Sequence, residues 1–391
     1  MTVWMLAAIF IGPLLMSMVD LVPISAARKA KGYAITDATP SVDDFVVLVP
    51  IYGNVRYLEN VAYLAQYGER VWLCTTTNET PEFYEALEAI AAERGFRIFR
   101  GYVPPAAAGS GGVRNVAGTI RDRLVRDASS RVEAEYVICI DADTETEQPL
   151  GLLVGAIAVN GFDLVSVRLV PSNRNTMLAR MQGHEYRMAM RLRRVLPWLI
   201  SGACHGGRTS VHRAVMQRHS LFFQANDAEL GLLAHAMGYR VGHVLFDVPT
   251  IVPHLFWPWW RQRLAWAGGE FRLFVMNVWL LPKHWFAFSY GLLFVILLFP
   301  FRWAAIVHPS LSLVAVFVVY MLAMLAVNWR DRDVALLLMP VYGLFITLFL
   351  APFALVWYVR MALADHNAGI IRPGRAPQVG PTMPDQPQLV P

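Results

Sequence analysis

Long apolar runs alternate with one polar stretch along the chain. Four runs carry no charged residue and approach or exceed the roughly 20 residues that a membrane-spanning helix needs. They cover residues 1–19, 285–301, 303–329 and 334–359. The polar stretch, residues 35–253, is long enough for one globular domain with its own core. The pattern therefore predicts a globular domain framed by about four membrane helices.

Within the polar stretch, short β-rich runs alternate with helical patterns. Predicted strands cover residues 45–50, 71–75, 97–100 and 136–140. Predicted helices cover residues 54–66, 81–95 and 113–127. The first strand, FVVLVP, is apolar at every position, which is typical of a strand buried on both faces of a parallel sheet. We predict an α/β domain with a mostly parallel sheet and helices on both faces.

Composition agrees with a membrane protein. Hydrophobic residues make up 56% of the chain and charged residues 16%, and the mean hydropathy of +0.41 is high for a soluble domain. A net charge of +5 is too small to indicate a nucleic-acid partner. Basic residues flank the apolar runs on the side of the globular domain, so the positive-inside rule places that domain in the cytoplasm of a protein of the cell membrane.

These patterns divide the chain into five predicted segments. They are a membrane helix at 1–27, the cytoplasmic domain at 35–253, amphipathic interface helices at 254–284, about three membrane helices at 285–359 and a disordered tail at 360–391. The three cysteines, Cys74, Cys139 and Cys204, have neither CxxC spacing nor a neighbouring His pair in the sequence. We therefore expect them to be reduced thiols of the core instead of zinc ligands.

Two carboxylates follow the strand at 136–140. Asp141 and Asp143 lie in the segment VICIDADT. Ligands gather at the carboxyl ends of strands in open α/β sheets, and such a pair can bind a divalent cation that neutralises a leaving diphosphate. Acidic residues also end strands and turns in many proteins, so the pair alone leaves a structural interpretation open.

The surrounding motifs resemble those of family 2 glycosyltransferases, in the same order. They are VVLVPIYGNVRYL (46–58), GSGGVRNVAG (109–118), VICIDADT (137–144), ISGACHGGRTSVHRAVM (200–216), NDAELGLLAHAMGYRV (226–241) and RQRLAW (261–266). The resemblance is to the membrane-integrated branch that includes cellulose, chitin and hyaluronan synthases and ceramide glucosyltransferase. It implies a GT-A-like fold, inverting transfer from a nucleoside-diphosphate sugar, and Mg²⁺ or Mn²⁺ at Asp141 and Asp143. A UDP-sugar is the favoured donor and a GDP-sugar the alternative.

The resemblance also assigns residues to the donor side. Pro50 and Tyr52 match the stretch that meets the nucleoside. Asn115 matches the asparagine of a K-x-x-A-L-N signature, and Arg114 places a guanidinium where it can bind diphosphate, although a solvent-facing arginine fits equally well. The aspartate that usually follows the second strand is missing here, and Glu79 or the threonines before it are the candidate substitutes.

Asp227 matches the aspartate of the family's T-E-D-x-E-L motif, which is the catalytic base. An acceptor hydroxyl has a very high pKa, so a carboxylate must take its proton as the new glycosidic bond forms. Aspartate is also a preferred N-cap, and capping and catalysis can coexist. Ser201 and Gly202 match the small-residue turn that lines the acceptor side, where a sugar approaches the backbone.

The acceptor motif Q-x-x-R-W is altered in this chain. Gln262 and Trp266 match it, but its arginine is replaced by Ala265. Arg263 brings a charge nearby, yet side chains two positions apart on a helix do not share a face. Trp266 equally fits stacking on an acceptor sugar and burial in the membrane interface. The change weakens the inference of a processive polymerase.

Together the motifs predict a membrane glycosyltransferase that acts at the cytoplasmic face, with a glycan or lipid-linked acceptor. Its product is a cell-surface polysaccharide or glycolipid. Two modes of action stay open: a processive synthase, helped by a membrane or export partner, and an enzyme that adds a single sugar. A non-catalytic relative that binds a nucleotide sugar or a partner is the alternative, but such a chain has little reason to keep Asp141, Asp143 and Asp227 together. A transporter is the less favoured class, because its membrane helices would show polar midplane residues or interrupted repeats.

Overall fold

The computed structural model describes most of the chain from residue 33 to residue 364. Described are residues 33–103, 117–221, 225–280, 282–284, 303, 307, 311–328, 330, 333–364 and 389–390. The apolar runs predicted to span the membrane at 1–27 and 285–301 lie outside these residues, as does most of the predicted tail.

Two compact units make up the chain, and each is described separately. The sheet unit comprises Gly32–Val170, Leu196–Thr250 and Met361–Pro391. The helical unit comprises Met1–Lys31, Pro171–Val195 and Ile251–Arg360.

Strands of the described residues form one mixed sheet. They are β1 (Tyr33–Ala34), β2 (Phe45–Pro50), β3 (Val71–Thr76), β4 (Arg97–Gly101), β5 (Tyr136–Ile140), β6 (Leu164–Pro171), β7 (Cys204–Arg208), β8 (Val241–Thr250) and β9 (Leu389–Val390). Their order in the sheet is β1-β8-β6-β7-β5-β2-β3-β4-β9. The four strands predicted from the sequence, β2 to β5, are confirmed to within one residue at their ends.

The prediction of a mostly parallel sheet holds for only half of it. Strands β5, β2, β3 and β4 are parallel to one another, as expected for strands linked by crossover helices. Strand β7 then runs antiparallel to both β5 and β6. Antiparallel neighbours can be joined without a crossover connection over the face of the sheet. Residues 172–203 connect β6 to β7. The fold is therefore a mixed α/β sheet, which fits a GT-A-like glycosyltransferase.

Helices connect these strands and fill the helical unit. They are α1 (Val61–Leu64), α2 (Pro81–Arg94), α3 (Ala117–Ser129), α4 (Leu150–Asn160), α5 (Met177–Arg193), α6 (Thr209–Met216), α7 (Asn226–Ala236), α8 (Phe256–Met276), α9 (Leu311–Val327), α10 (Ala335–Phe345) and α11 (Ala351–Ala364). Short 3₁₀ turns cover Val55–Tyr57, Ala65–Arg70 and Val278–Leu280, and a π-helical turn covers Ile346–Leu350.

Local sequence explains which predicted helices form. Helix α2 begins where Thr80 accepts a hydrogen bond from the Phe83 amide, and it ends at Gly95 in the left-handed conformation. The helix predicted at 54–66 is broken instead into α1 and two 3₁₀ turns. The amides of Glu59 and Asn60 donate to the Ala142 carbonyl, at 2.9 and 3.3 Å, so they are not available to a continuous helix.

Alternate residues of β2 face two different cores, as its uninterrupted apolar sequence predicts. Val47 and Val49 pack in a cluster with residues of α2 and α4. Val46 and Leu48 pack on the opposite face with residues of α3, among them Leu124. Burial on both faces makes β2 and its neighbours a rigid support for the loops at their carboxyl ends.

One helical stretch among the described residues is long and apolar enough to cross a membrane. It is Ala335–Met361, with 27 residues and a mean hydropathy of 2.1 over its most apolar window. The apolar run at 303–329 contains α9, whose apolar stretch of Phe317–Ala326 falls short of a full span. Of the roughly four predicted membrane helices, the described residues thus contain one that is long and apolar enough to span a membrane.

Candidate functional site

The two predicted metal ligands lie in the loop that follows β5. The Asp141 amide donates to the Ala203 carbonyl at 2.9 Å. Asn60 is 1% exposed, and its Nδ2 donates to the carbonyls of Asp141 at 3.0 Å and Thr144 at 2.6 Å. The Asp143 side chain is exposed and accepts a bond from the Thr144 hydroxyl at 3.2 Å. Asn60 therefore holds the loop in shape while Asp143 stays accessible.

Substitution of Asn60 tests this support. Asn60→Ala removes the side-chain donor of the Thr144 carbonyl and one of two donors of the Asp141 carbonyl, which also accepts from the Thr144 amide at 3.1 Å. The variant should lower the free energy of unfolding by about 1–3 kcal/mol. Asn78→Ala is the matched control, since the side-chain amide of Asn78 donates a single described hydrogen bond, to the Val103 carbonyl at 2.9 Å. We expect the melting temperature to fall further in Asn60→Ala than in Asn78→Ala. Equal melting temperatures would show that the loop does not depend on Asn60.

Arg121, on α3, lies among the carboxylates of the site. Its Nη1 is 3.4 Å from Asp141 Oδ1 and 3.4 Å from the Gly202 carbonyl. Its Nε is 3.2 Å from Asp122 Oδ1. Burial lowers the pKa of Arg121, but the charges of Asp122, Asp141 and Asp227 outweigh it and raise that pKa above its usual value. The guanidinium is therefore a fixed positive charge shared by three carboxylates.

Gly202 allows Asp227 to approach this cluster. A Cβ atom at residue 202 would lie 3.1 Å from Asp227 Oδ2 and 3.4 Å from Arg121 Nη1. Any larger residue would crowd both groups. The sequence predicted that this glycine makes room for a sugar, and in the structure it makes room for the Asp227 carboxylate. Asp227 thereby lies next to Arg121 and on the same cavity as Asp141.

Several carboxylates lie close to Asp141 and affect the pKa of its side chain. Burial raises the pKa of its carboxyl to about 6; Arg121 opposes this shift, and Asp143, Asp227 and Asp122 add to it. Burial likewise raises the pKa of Asp122. A second positive charge at this place would relieve the repulsion, which is the condition for a cation site.

Asp227 lies in the first turn of α7 and does not cap it. The helix begins at Asn226, and Ala225 occupies the cap position with a φ of 62°. A left-handed alanine is strained by its Cβ, and such strain persists where surrounding contacts impose it. His219 makes one of these contacts. Its Nδ1 accepts a hydrogen bond from the Leu221 amide at 3.0 Å, so its Nε2 donates to the Asn226 carbonyl at 2.8 Å. The positive end of the helix dipole favours a carboxylate in this turn.

The predicted donor residues occupy the carboxyl ends of β2 and β3. Pro50 ends β2 and lines the cavity. Glu79 accepts bonds from the Gly53 amide at 3.0 Å and from the Thr76 hydroxyl at 2.6 Å, which ties the two strand ends together. Burial raises the pKa of Tyr52 to about 12, with Arg121 lowering it and nearby carboxylates raising it further. Arg114 and Asn115 lie outside the described residues.

Ser201 supports the acceptor-side turn from within the core. It is 1% exposed, and its Oγ lies 3.0 Å from Ser166 Oγ and 3.1 Å from the Val167 carbonyl. The neighbouring Gly202 carbonyl meets Arg121. Of the two predicted residues, Gly202 faces the cavity and Ser201 fixes the turn.

The acceptor motif lies on α8 of the helical unit. Arg263 is 3% exposed, its Nη2 is 2.6 Å from Glu185, and its guanidinium carbon is 4.2 Å from the centre of the Trp266 ring. Gln262 accepts from Arg263 Nη1 at 3.1 Å. Residues three apart on a helix share a face, so Arg263 meets Trp266 although it is two positions from Ala265. The motif thus keeps an arginine against its tryptophan.

Replacing this arginine by lysine tests the stacked arrangement. Arg263→Lys keeps the charge but loses the planar group that lies over Trp266 and bonds Glu185, which should lower stability by about 2 kcal/mol. Arg261→Lys, at an exposed position of the same helix, is the control. Thermal unfolding followed by tryptophan fluorescence should show a lower midpoint for Arg263→Lys alone, and equal midpoints would contradict the arrangement.

About half of the chain matches a known protein family. Residues 136–330 match the family model described as "Glycosyl transferase family group 2". This segment, just under half of the chain, is similar to family 2 glycosyltransferases. The match supports the predicted family, whereas the membrane-integrated synthase branch stays a prediction.

Two solved structures show weak similarity to the chain. A mannosyltransferase from Pyrobaculum calidifontis, solved with GDP-Man and Mn²⁺, is 14% identical with a TM-score of 0.49 over 92% of this chain and 94% of that one. TarS of S. aureus is 13% identical with a TM-score of 0.35 over 58% of this chain and 39% of that one. No curated protein sequence matches the chain significantly.

The matched segment contains several of the residues that line the cavity. Asp141, Gly202 and Asp227 all fall within the matched segment. Arg121 precedes it, and sequence analysis missed this residue because it is one of several arginines in a basic helix with no motif of its own. Its place could be found only from the packing of α3 against the ends of the strands.

Proposed function

We propose that this chain is a membrane-bound inverting glycosyltransferase that transfers a sugar from a nucleoside-diphosphate donor. The single observation that carries the proposal is the convergence of Asp227 and Asp141 on Arg121, at one cavity at the carboxyl ends of the central strands. Ligands of open α/β sheets bind at this edge. The family 2 match is consistent with nucleotide-sugar chemistry there.

In the proposed reaction Asp227 is the base. Its carboxylate takes the proton of the acceptor hydroxyl as the acceptor oxygen bonds to the anomeric carbon of the sugar. The bond from that carbon to the diphosphate breaks, and its electron pair goes to the phosphate oxygen. Attack on the face opposite the leaving group inverts the anomeric configuration. Arg121 keeps Asp227 and Asp141 close together despite their like charges.

Asp141 and Asp143 are the residues that would hold a divalent cation. Both are carboxylates, the ligands that Mg²⁺ and Mn²⁺ prefer. Asp143 is exposed, and a cation would relieve the repulsion from Asp143, Asp227 and Asp122 that adds to the effect of burial on the pKa of Asp141. Such a cation supplies charge neutralisation to the leaving diphosphate.

We further propose that the reaction takes place at the cytoplasmic face of the cell membrane. Aromatic side chains of α8 and the turn after it are exposed, among them Phe256, Trp257, Trp266 and Trp279. Exposed aromatics beside arginines suit a helix lying in a membrane interface. The acceptor is then a lipid-linked or growing glycan, the donor a UDP-sugar in preference to a GDP-sugar, and product size separates a processive synthase from a single transfer.

Asp143→Asn tests the cation and donor parts of this proposal. Loss of one carboxylate ligand should weaken binding of nucleoside diphosphate in the presence of Mn²⁺ by at least about tenfold. Calorimetric titration of the full chain in detergent with UDP and with GDP measures this change. Asp127→Asn, which alters a partly exposed carboxylate paired with Arg126, should bind like the wild type. Cation-independent binding, equal in both variants, would overturn the assignment.

A further inference from the structure

Three buried side chains with metal-binding atoms lie together in the lining of the proposed catalytic cavity, and the proposed transfer reaction does not use them. Cys139 of β5 and His205 of β7 are directly paired in register across the sheet. His212 projects from α6 beside them. One atom from each residue, the cysteine sulfur and a ring nitrogen from each histidine, lies within 4.8 Å of the others. The fold thus joins residues that are 66 and 7 positions apart in the chain.

Distances within the group approach those of a tetrahedral metal site. The Cys139 sulfur is 3.7 Å from Nε2 of His212. Zinc–sulfur and zinc–nitrogen bonds of about 2.3 and 2.0–2.1 Å separate two tetrahedral ligands by about 3.6 Å, so this pair already fits. No separation among the three ligand atoms exceeds 4.8 Å, which is about 1 Å above that value, and rotation of an imidazole ring can close such a gap.

Hydrogen bonding of the two histidines is incomplete. His205 and His212 are 5% and 1% exposed. Among the described residues, neither ring nitrogen of His205 nor Nδ1 of His212 has a hydrogen-bond partner of acceptable geometry. A buried polar group without a partner is unfavourable, and a metal ion would give one of the two unpartnered ring nitrogens of His205 a partner.

The protonation states of the two histidines also suit ligand binding. Burial lowers the pKa of His212 to about 4 and that of His205 well below its usual value, so both rings are neutral near pH 7, as a metal requires. Burial raises the pKa of the Cys139 thiol. The thiol therefore releases its proton to solvent when the metal–sulfur bond forms.

We propose that Cys139, His205 and His212 form a binding site for one zinc-like transition-metal ion. Thiolate and imidazole favour such ions over Mg²⁺ and Mn²⁺, so this site differs in chemistry from the carboxylates Asp141 and Asp143. Three protein ligands leave one coordination position open, and all three side chains line the cavity that also holds Asp227. The sequence concealed the site because its ligands follow no short spacing.

Cobalt absorption tests the site without reference to sugar transfer. Co²⁺ alone is titrated into metal-free full-length protein in detergent. We expect a thiolate-to-cobalt charge-transfer band that saturates at one equivalent and is lost in Cys139→Ser. The band should persist in Cys74→Ser, which alters another buried strand cysteine, and in Asp143→Asn. A folded wild type without a saturable band, or a band that survives in Cys139→Ser, would overturn the proposal.

X-ray absorption of the zinc-loaded wild type provides a test that needs no variant. The expected first shell contains one sulfur at about 2.3 Å and two imidazole nitrogens at about 2.0–2.1 Å. A shell of oxygen and nitrogen alone would place the metal elsewhere and overturn the site. Either outcome is independent of whether the chain transfers sugar.

Discussion

Asp227→Asn should lower the rate of sugar transfer by about 10²–10⁴-fold, the usual contribution of a general base. The amide has nearly the shape of the carboxylate but cannot accept the proton of the acceptor hydroxyl. Donor binding should change by less than about threefold, because the base acts on the acceptor in the transition state. Turnover and donor affinity are measured on the same preparation, by release of nucleoside diphosphate and by calorimetry.

Two controls make this result specific to the base. Asp127→Asn makes the same chemical change on α3, outside the cavity lining, and should leave turnover unchanged. The Asp227→Asn protein should melt near the wild-type temperature, since Asp227 lies in the first turn of α7 without capping it. If Asp227→Asn retained more than about a tenth of the wild-type rate, the base would have to be another group.

Arg121→Met is expected to have the largest effect on stability. Removing the guanidinium leaves Asp122, which is 6% exposed, as a buried carboxylate without its partner, and leaves Asp141 and Asp227 without the cation between them. Breaking a buried ion pair by deleting one partner costs about 3–5 kcal/mol. Chemical unfolding of the full chain in detergent should show a loss of this size.

A compensating change distinguishes lost charge balance from lost packing. Asp122→Asn in the Arg121→Met background removes the stranded charge and should restore a substantial part of the stability. Arg126→Met, on the same helix with a partly exposed partner, should cost less than about 1 kcal/mol. If the double variant were no more stable than Arg121→Met alone, Arg121 would act through packing and not through charge.

Local sequence predicted the parallel half of the sheet and the loops at its edge. The apolar run of β2 and the proline–glycine bounds of α2 each determine their own element, and these were confirmed. Strand β7 contains CHGGR, which has no alternating apolar pattern, and it forms because both of its edges pair with β5 and β6. Tertiary pairing of this kind has no signal in a short window of sequence.

The site shows the same division between local and tertiary information. Asp141, Asp143 and Asp227 carry a motif, and the structure places Asp141 and Asp227 on one cavity. The residues that support them, Asn60 and His219, act through single side chains at large sequence separations or across a strained turn, so no spacing identifies them. Sequence reasoning compared Arg263, a candidate acceptor-side residue, only with the missing arginine at Ala265, whereas in the structure it lies over Trp266.

The most direct test of the central claim is nucleoside diphosphate release by the wild-type chain, reconstituted in lipid, over a panel of UDP-, GDP- and dTDP-sugars with Mg²⁺ or Mn²⁺. Our account predicts turnover with one donor that requires the divalent cation and disappears in Asp227→Asn. Binding of one donor by the folded chain, with no turnover in the presence of lipid and glycan acceptors, would contradict it and indicate a relative that binds nucleotide sugars without transferring them.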